Sequence, residues 1–212
     1  MTDRVVFLAD WQVRAYLAGE LSVLFVPMNP QPPRGWIIAI NPDSYLPGDQ
    51  AFMDPTHPIA TYPTLYCNFA PGDTLLGKET YRKWVGDGGR WVVRYKADGV
   101  LNKDTWCSLD EGDYYLTPED CEIDKEPESW ASPVTMWPEV ARIKLVVKTV
   151  EPVKLYRIAE ADAIPAGAEF YESDWDIEFM RTPWRRLMQS FGARYGDKYP
   201  WDTAWVWRIE VA

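Results

Sequence analysis

From Arg142 to Val150 the chain reads Arg-Ile-Lys-Leu-Val-Val-Lys-Thr-Val, with Ile143, Leu145 and Val147 two residues apart. A period of two puts these side chains on one face of a strand, and it does not fit a helix. Val153 to Arg157 continues the run after Pro152. Similar strand composition recurs at Arg4–Leu8, Leu21–Val26, Trp36–Ile40, Thr74–Tyr81, Trp91–Lys96 and Ala204–Val211. With 18 Pro and 13 Gly, the chain is punctuated by turns and has little room for long helices.

Two helical segments interrupt the strands. Asp10 is placed to cap a short helix with Val13, Tyr16 and Leu17 on one face and Gly19 as its stop. Thr182-Pro183 combines a capping hydroxyl with Pro at the first helical position. Trp184, Leu187, Met188 and Phe191 follow at i, i+3, i+4 and i+7, and Gly192 is the expected end. Glu160–Ile164 reads as a helical turn stopped by Pro165 and Gly167. Thr74–Tyr81 and Trp91–Lys96, joined through Gly86–Gly89, read as a β-hairpin. The expected fold is therefore α+β, mainly β, with short peripheral helices. It forms one domain over 1–212, with loop insertions at about 41–63 and 99–129.

The charge is uneven. Asp110, Glu111, Asp113, Glu119, Asp120, Glu122, Asp124, Glu126 and Glu128 stand against Lys125 alone, so the 110–128 stretch carries −8 of the chain's −10. It reads as a solvated insertion, or as a surface that imitates a nucleic-acid backbone and occupies a basic site on a host protein. A net charge of −10 repels a phosphate backbone, which makes duplex DNA an unfavoured partner. No apolar run reaches the ~20 residues of a membrane span, so a soluble, cytoplasmic protein is expected. Cys67, Cys107 and Cys121 are odd in number and widely spaced, which points to neither a disulfide framework nor a zinc site.

Five segments in order resemble the phage and prophage branch of the ASCH family, within the PUA-like superfamily. They are AYLAGELSVLFV (15–26), PGDTLLGKETYRKW (71–84), VRYKADG (93–99), WASPVTMWPEVARIKLVVKTVEPVKLYRIAEADAIPAG (130–167) and YPWDTAWVWRIEV (199–211). The resemblance implies a PUA-like pseudo-β-barrel with a cleft beside the first helix. It also implies a link to RNA or nucleoside binding, and in one small branch hydrolysis of acetylated cytidine by a Lys, a Thr and a Glu.

The family motif at the end of the first helix is Gly-x-Lys-x-x-x-x-Arg. Gly19 matches its Gly, but the Lys position is Leu21, the catalytic Thr position is Leu24 and the Arg position is Val26. The Glu position falls at Ala166. Leu offers neither a base nor a nucleophile, so the family's amide hydrolysis is not expected. On this resemblance the cleft would be lined by Gly19, Leu21, Ser22, Leu24, Lys78, Glu79, Tyr81 and Trp205. Glu79, with Lys78 or Ser22, is the residual catalytic candidate; the alternative is that Glu79 is a structural ion-pair partner and Lys78 a solvated strand residue.

Three functional readings follow. The first is a non-catalytic ASCH/PUA-like binding protein for a nucleobase, nucleoside or short RNA. The second is a phage accessory protein that binds a host protein through 110–128. The third is a surviving amidohydrolase on acetylated cytidine-type nucleosides. No cofactor or metal is expected. His57, the only histidine, lies in a Pro-rich stretch read as surface loop, and Asp174/Asp176 and Glu122/Asp124 read as solvated charge. Core packing accounts for most of the twelve Trp, and the remainder could form a platform on which a flat base stacks.

Overall fold

The structure is a computed structural model describing residues 3–33, 37–38, 49–86, 90–99, 101–102, 128–170 and 182–212. It is a mixed α+β protein, mainly strands in sheets with a few short helices. The strands are β1 (Asp3–Phe7), β2 (Val23–Pro27), β3 (Ile37–Ile38), β4 (Asp49–Asp54), β5 (His57–Tyr66), β6 (Thr74–Lys78), β7 (Tyr81–Gly86), β8 (Arg90–Tyr95), β9 (Leu101–Asn102), β10 (Ile143–Lys154) and β11 (Trp205–Val211). The α-helices are α1 (Asp10–Leu17), α2 (Glu160–Ala163) and α3 (Pro183–Tyr195).

The main sheet runs β1-β6-β10-β11-β2. β1 pairs with β6 in parallel, and every other pairing in this sheet is antiparallel. Its end strands β1 and β2 do not pair with each other, so the described residues form no closed barrel. β10 is its longest member and continues unbroken through Pro152, which lies opposite Trp207 of β11. β6 pairs with Ile143–Val146 of β10, so among the described residues Pro152 has no strand on its other side. That edge tolerates the missing N–H.

β2 is apolar throughout because it is buried on both faces. Leu24 packs among Val6, Leu8, Leu75, Leu145 and Ile209 in the main core, with Val26 against it. Val23 and Phe25 face a second core of Trp11, Leu187 and Phe191. α1 is wedged between the two, with Val13 and Ala15 in the first and Trp11 in the second. The expected α1 face is therefore corrected: Leu17 is 47% exposed. Asp10 is the first helical residue rather than the cap; the Gln12 side chain accepts the Ala9 N–H at 3.1 Å instead. Gly19, at φ 76°, ends the helix as read from sequence.

Three further expectations need correction. Residues 41–63 are not simply a loop, because β4 and β5 pair as a sheet with β3. The prolines that suggested a loop, Pro58 and Pro63, fall at the register shifts of the edge strand β5, where a missing donor is tolerated. His57 accordingly begins a strand. The Thr74–Tyr81 run breaks at Glu79-Thr80, so β6 joins the main sheet while β7 and β8 form the hairpin. That hairpin buries Tyr81, Val93 and Tyr95 against Met136, Val140 and Ala141. Finally, α3 does not stop at Gly192 but runs on to Tyr195 and is capped by Gly196. Its start is as expected, with the Thr182 hydroxyl accepting the Arg185 N–H.

Candidate functional site

The positions that the ASCH resemblance marks as a catalytic cleft do not form one. Leu21 and Leu24 are 7% and 1% exposed within the main core, and Ala166 is 1% exposed in the second core. Tyr81 is buried in the hairpin core, where its hydroxyl donates to the Thr135 carbonyl at 2.8 Å. Trp205 is buried among the main-core residues. Gly19 and Ser22 are exposed, and the Ser22 backbone is tied to Pro165 and Val211. Lys78 is half-buried at the end of β6. Leu21, Leu24 and Trp205 thus meet as packing, while Tyr81 and Glu79 lie elsewhere.

Glu79 is fully buried at the β6–β7 break and is bound by Arg142 at both oxygens. Arg142 Nε donates to Oε1 at 2.8 Å and Nη2 to Oε2 at 3.0 Å. The same guanidinium forks onto Asp98 at 2.7 and 3.0 Å and lies 4.0 Å from the Tyr95 ring centre. Burial raises the Glu79 pKa, and the Arg142 hydrogen bonds and charge only partly offset it. Burial works against the Arg142 charge, but Glu79 and Asp98 outweigh it and raise its pKa above the ordinary guanidinium value. With both oxygens engaged, Glu79 is the ion-pair partner allowed for from sequence, and it joins β6, β8 and β10 at one point.

An open cleft of about 680 Å³ lies instead between β1, α1 and α3. Phe7, Phe25, Phe191 and Tyr195 supply its aromatic wall, and Asp10, Arg14, Thr80 and Arg194 its polar rim. Arg194 sets the geometry. Its Nη2 donates to the Phe7 carbonyl at 2.6 Å and its Nη1 to Gln12 Oε1 at 3.4 Å, which ties α3 to β1 and α1. Phe191 and Tyr195 are tilted at 48° with centres 4.8 Å apart, and Tyr199 stands edge-on to Tyr195 at 5.6 Å. Burial raises the Tyr195 pKa, so its hydroxyl stays neutral across the physiological range. Asp10 is paired with Lys96 at 3.0 Å. This lining can stack a flat ring and offer donors and acceptors to its edge.

The ASCH resemblance implied a cleft beside the first helix, but none of the eight residues expected to line it lines this one, and its α3 side, with Leu187 and Phe191 before Gly192 and Arg194 and Tyr195 after it, was not foreseen. The signal was present: Arg194 and Tyr195 continue the helical spacing past that glycine. Asp110, Glu111, Asp113, Glu119, Asp120, Glu122, Asp124, Asp174 and Asp176 lie outside the described residues. Among the described residues no group of three or more His, Cys, Asp or Glu is placed to hold a metal ion. No described helix is long and apolar enough to cross a membrane. Burial pushes the Cys67 thiol up to about 11, which keeps it protonated and unreactive at neutral pH.

Fold and cleft together define a mainly β, α+β protein with an aromatic, helix-walled cleft. Comparison of the chain with family models, with curated proteins and with solved structures finds no match to any of them.

Proposed function

We propose that the chain is a non-catalytic binding protein of PUA-like, ASCH type that holds a nucleobase or nucleoside in the cleft between α1 and α3. The open sheet β1-β6-β10-β11-β2 would be its pseudo-barrel. The observation that carries this reading is the cleft itself. Its volume of about 680 Å³ lies within the usual ~300–1,000 Å³ range of small-ligand sites, and rings and polar groups share its lining. The substitutions at the family's catalytic positions support binding without turnover, since Leu21, Leu24 and Ala166 serve as core packing. The engagement of Glu79 by Arg142 argues the same way, because it removes the residual acid/base candidate.

A panel of plain and modified nucleosides, acetylated cytidine included, tests the proposal by calorimetry and thermal shift. Phe7 is 39% exposed on the cleft wall, so Phe7→Ala removes a stacking surface. Stacking is worth roughly 1–3 kcal/mol per base, so binding should weaken by about 5- to 150-fold. Ala193→Trp places an indole in the cleft mouth and should abolish binding. A panel without a single thermal shift, or binding that Ala193→Trp leaves intact, overturns the proposal.

A further inference from the structure

A second, shallower pocket of about 410 Å³ lies beside the β10–β11 junction. Trp201 and Tyr156 stand at it 60% and 38% exposed, and Trp201 is well above Trp130, the other described Trp that is exposed, at 36%. Trp205 lines it from β11, and Lys154, Asp202 and Thr203 complete its polar side. We infer that this pocket binds a neutral polyhydroxylated ring, a hexopyranose unit, independently of the cleft at α1 and α3.

The framework around the pocket is fixed. Gln31 reaches across 174 residues to Trp205, accepting its backbone N–H at 2.7 Å and donating to its carbonyl at 2.9 Å. The same amide donates to the Met28 carbonyl at 2.7 Å, and this holds the loop that brings Pro33 to the pocket. On the other side the Ala204 N–H donates to Pro200, and the Leu155 N–H to Ala204. The turn carrying Trp201 and Asp202 is thereby tied to the end of β10. Such a site needs little ordering when a ligand arrives.

The chemistry selects the ligand class. The Lys154 ammonium lies 5.3 Å from the Trp205 ring centre and 5.8 Å from that of Tyr156. Among the described residues neither Lys154 nor Asp202, which share this pocket, has an ion-pair partner. The lining therefore offers one full donor and one full acceptor that do not neutralise each other. Arg157 lies 5.7 Å from the Tyr156 ring and is not part of the lining. A phosphate or carboxylate ligand would gain from Lys154 but be repelled by Asp202 and by the chain's net charge of −10. A sugar hydroxyl both donates and accepts, so vicinal hydroxyls satisfy Asp202, Lys154 and the Thr203 hydroxyl together. The C–H face of the ring then lies on the exposed indole of Trp201.

Saturation-transfer NMR of the full chain with glucose, galactose, mannose, N-acetylglucosamine, maltose, cellobiose and lactose tests this. Adenosine monophosphate and inorganic phosphate serve as competing probes. At least one sugar should show saturable binding at millimolar concentration. Trp201→Ala should weaken it about tenfold or more, and Asp202→Asn measurably, with the unfolding midpoint unchanged in both. The cleft-blocking Ala193→Trp should leave sugar binding as it is, so failure here is separable from failure of the nucleoside reading. Absence of transfer from every sugar, displacement by adenosine monophosphate in place of sugar binding, or a Trp201→Ala protein that binds as the wild type would each overturn the inference.

Discussion

Gly167 closes the turn after α2 and presses that turn onto α1. Its φ is 82°, and a Cβ built there would stand 2.5 Å from the Ala15 Cβ and 3.5 Å from Trp11 Cζ3. Carbon atoms in contact prefer about 3.5–4.0 Å, so the first of these approaches is a collision between backbone-anchored atoms. Gly167→Ala therefore carries two costs. The left-handed backbone contributes about 1–2 kcal/mol for a residue with a Cβ, and overpacking the α1 contact about 1–3 kcal/mol. The variant should lose about 2–5 kcal/mol, a large part of the ~5–15 kcal/mol that holds a typical domain folded. Urea unfolding followed by circular dichroism measures it. Gly192→Ala is the matched control, since Gly192 sits inside α3 with nothing within 4 Å of the new methyl. It should gain about 0.5–1 kcal/mol by removing a glycine from a helix interior. Adding Ala15→Gly to Gly167→Ala should return the steric part, less the ~0.5–1 kcal/mol that a glycine inside α1 costs by itself, and leave the backbone part. If Gly167→Ala costs less than about 1 kcal/mol, the packing of this turn on α1 is refuted.

Two further expectations concern the ion cluster. Arg142→Met leaves Glu79 buried beside no cation and should cost about 3–5 kcal/mol at neutral pH by urea unfolding, with a smaller cost as pH falls and Glu79 protonates. A cost that does not change with pH would count against this account. The Glu79 pKa is raised in the folded protein, so its contribution is fully present below the ordinary carboxylate value and is lost as pH rises through the raised one. The stability of the wild type relative to Glu79→Gln should therefore fall as pH climbs from that range, and a difference that rises with pH would reverse the sign of the argument.

What could be read from sequence was what local chemistry dictates. The alternation at Ile143, Leu145 and Val147 appears as alternating burial along β10, and Thr182-Pro183 starts α3. Failures came where one local signal has two uses. Pro58 and Pro63 mark loops in most chains, yet here they occupy irregular points of an edge strand. Nothing in the Thr74–Tyr81 composition announces the break at Glu79, whose carboxylate there meets a guanidinium 63 residues away. The cleft was not legible residue by residue: none of the positions expected to line it does so. Its α1 wall follows from the first helix, but its far wall depends on Arg194 reaching the Phe7 carbonyl across 187 residues. Leu21, Leu24 and Val26 looked like an active site with its polar groups replaced. Burial of β2 on both faces, and of Leu21 just before it, gives those side chains a packing role that explains them without reference to catalysis.

The order of the main sheet also bears on how the chain reaches it. β2, near the start, has β11 as its one partner in that sheet, and β1 has only β6. No two strands adjacent in sequence are neighbours there except β10 and β11, so the sheet cannot grow outward from a tight hairpin. Most of its pairings close large loops before any contact repays the entropy, which slows the folding of this sheet relative to one built from local hairpins. The local hairpins β4–β5 and β7–β8 escape this constraint and are the parts best placed to form first.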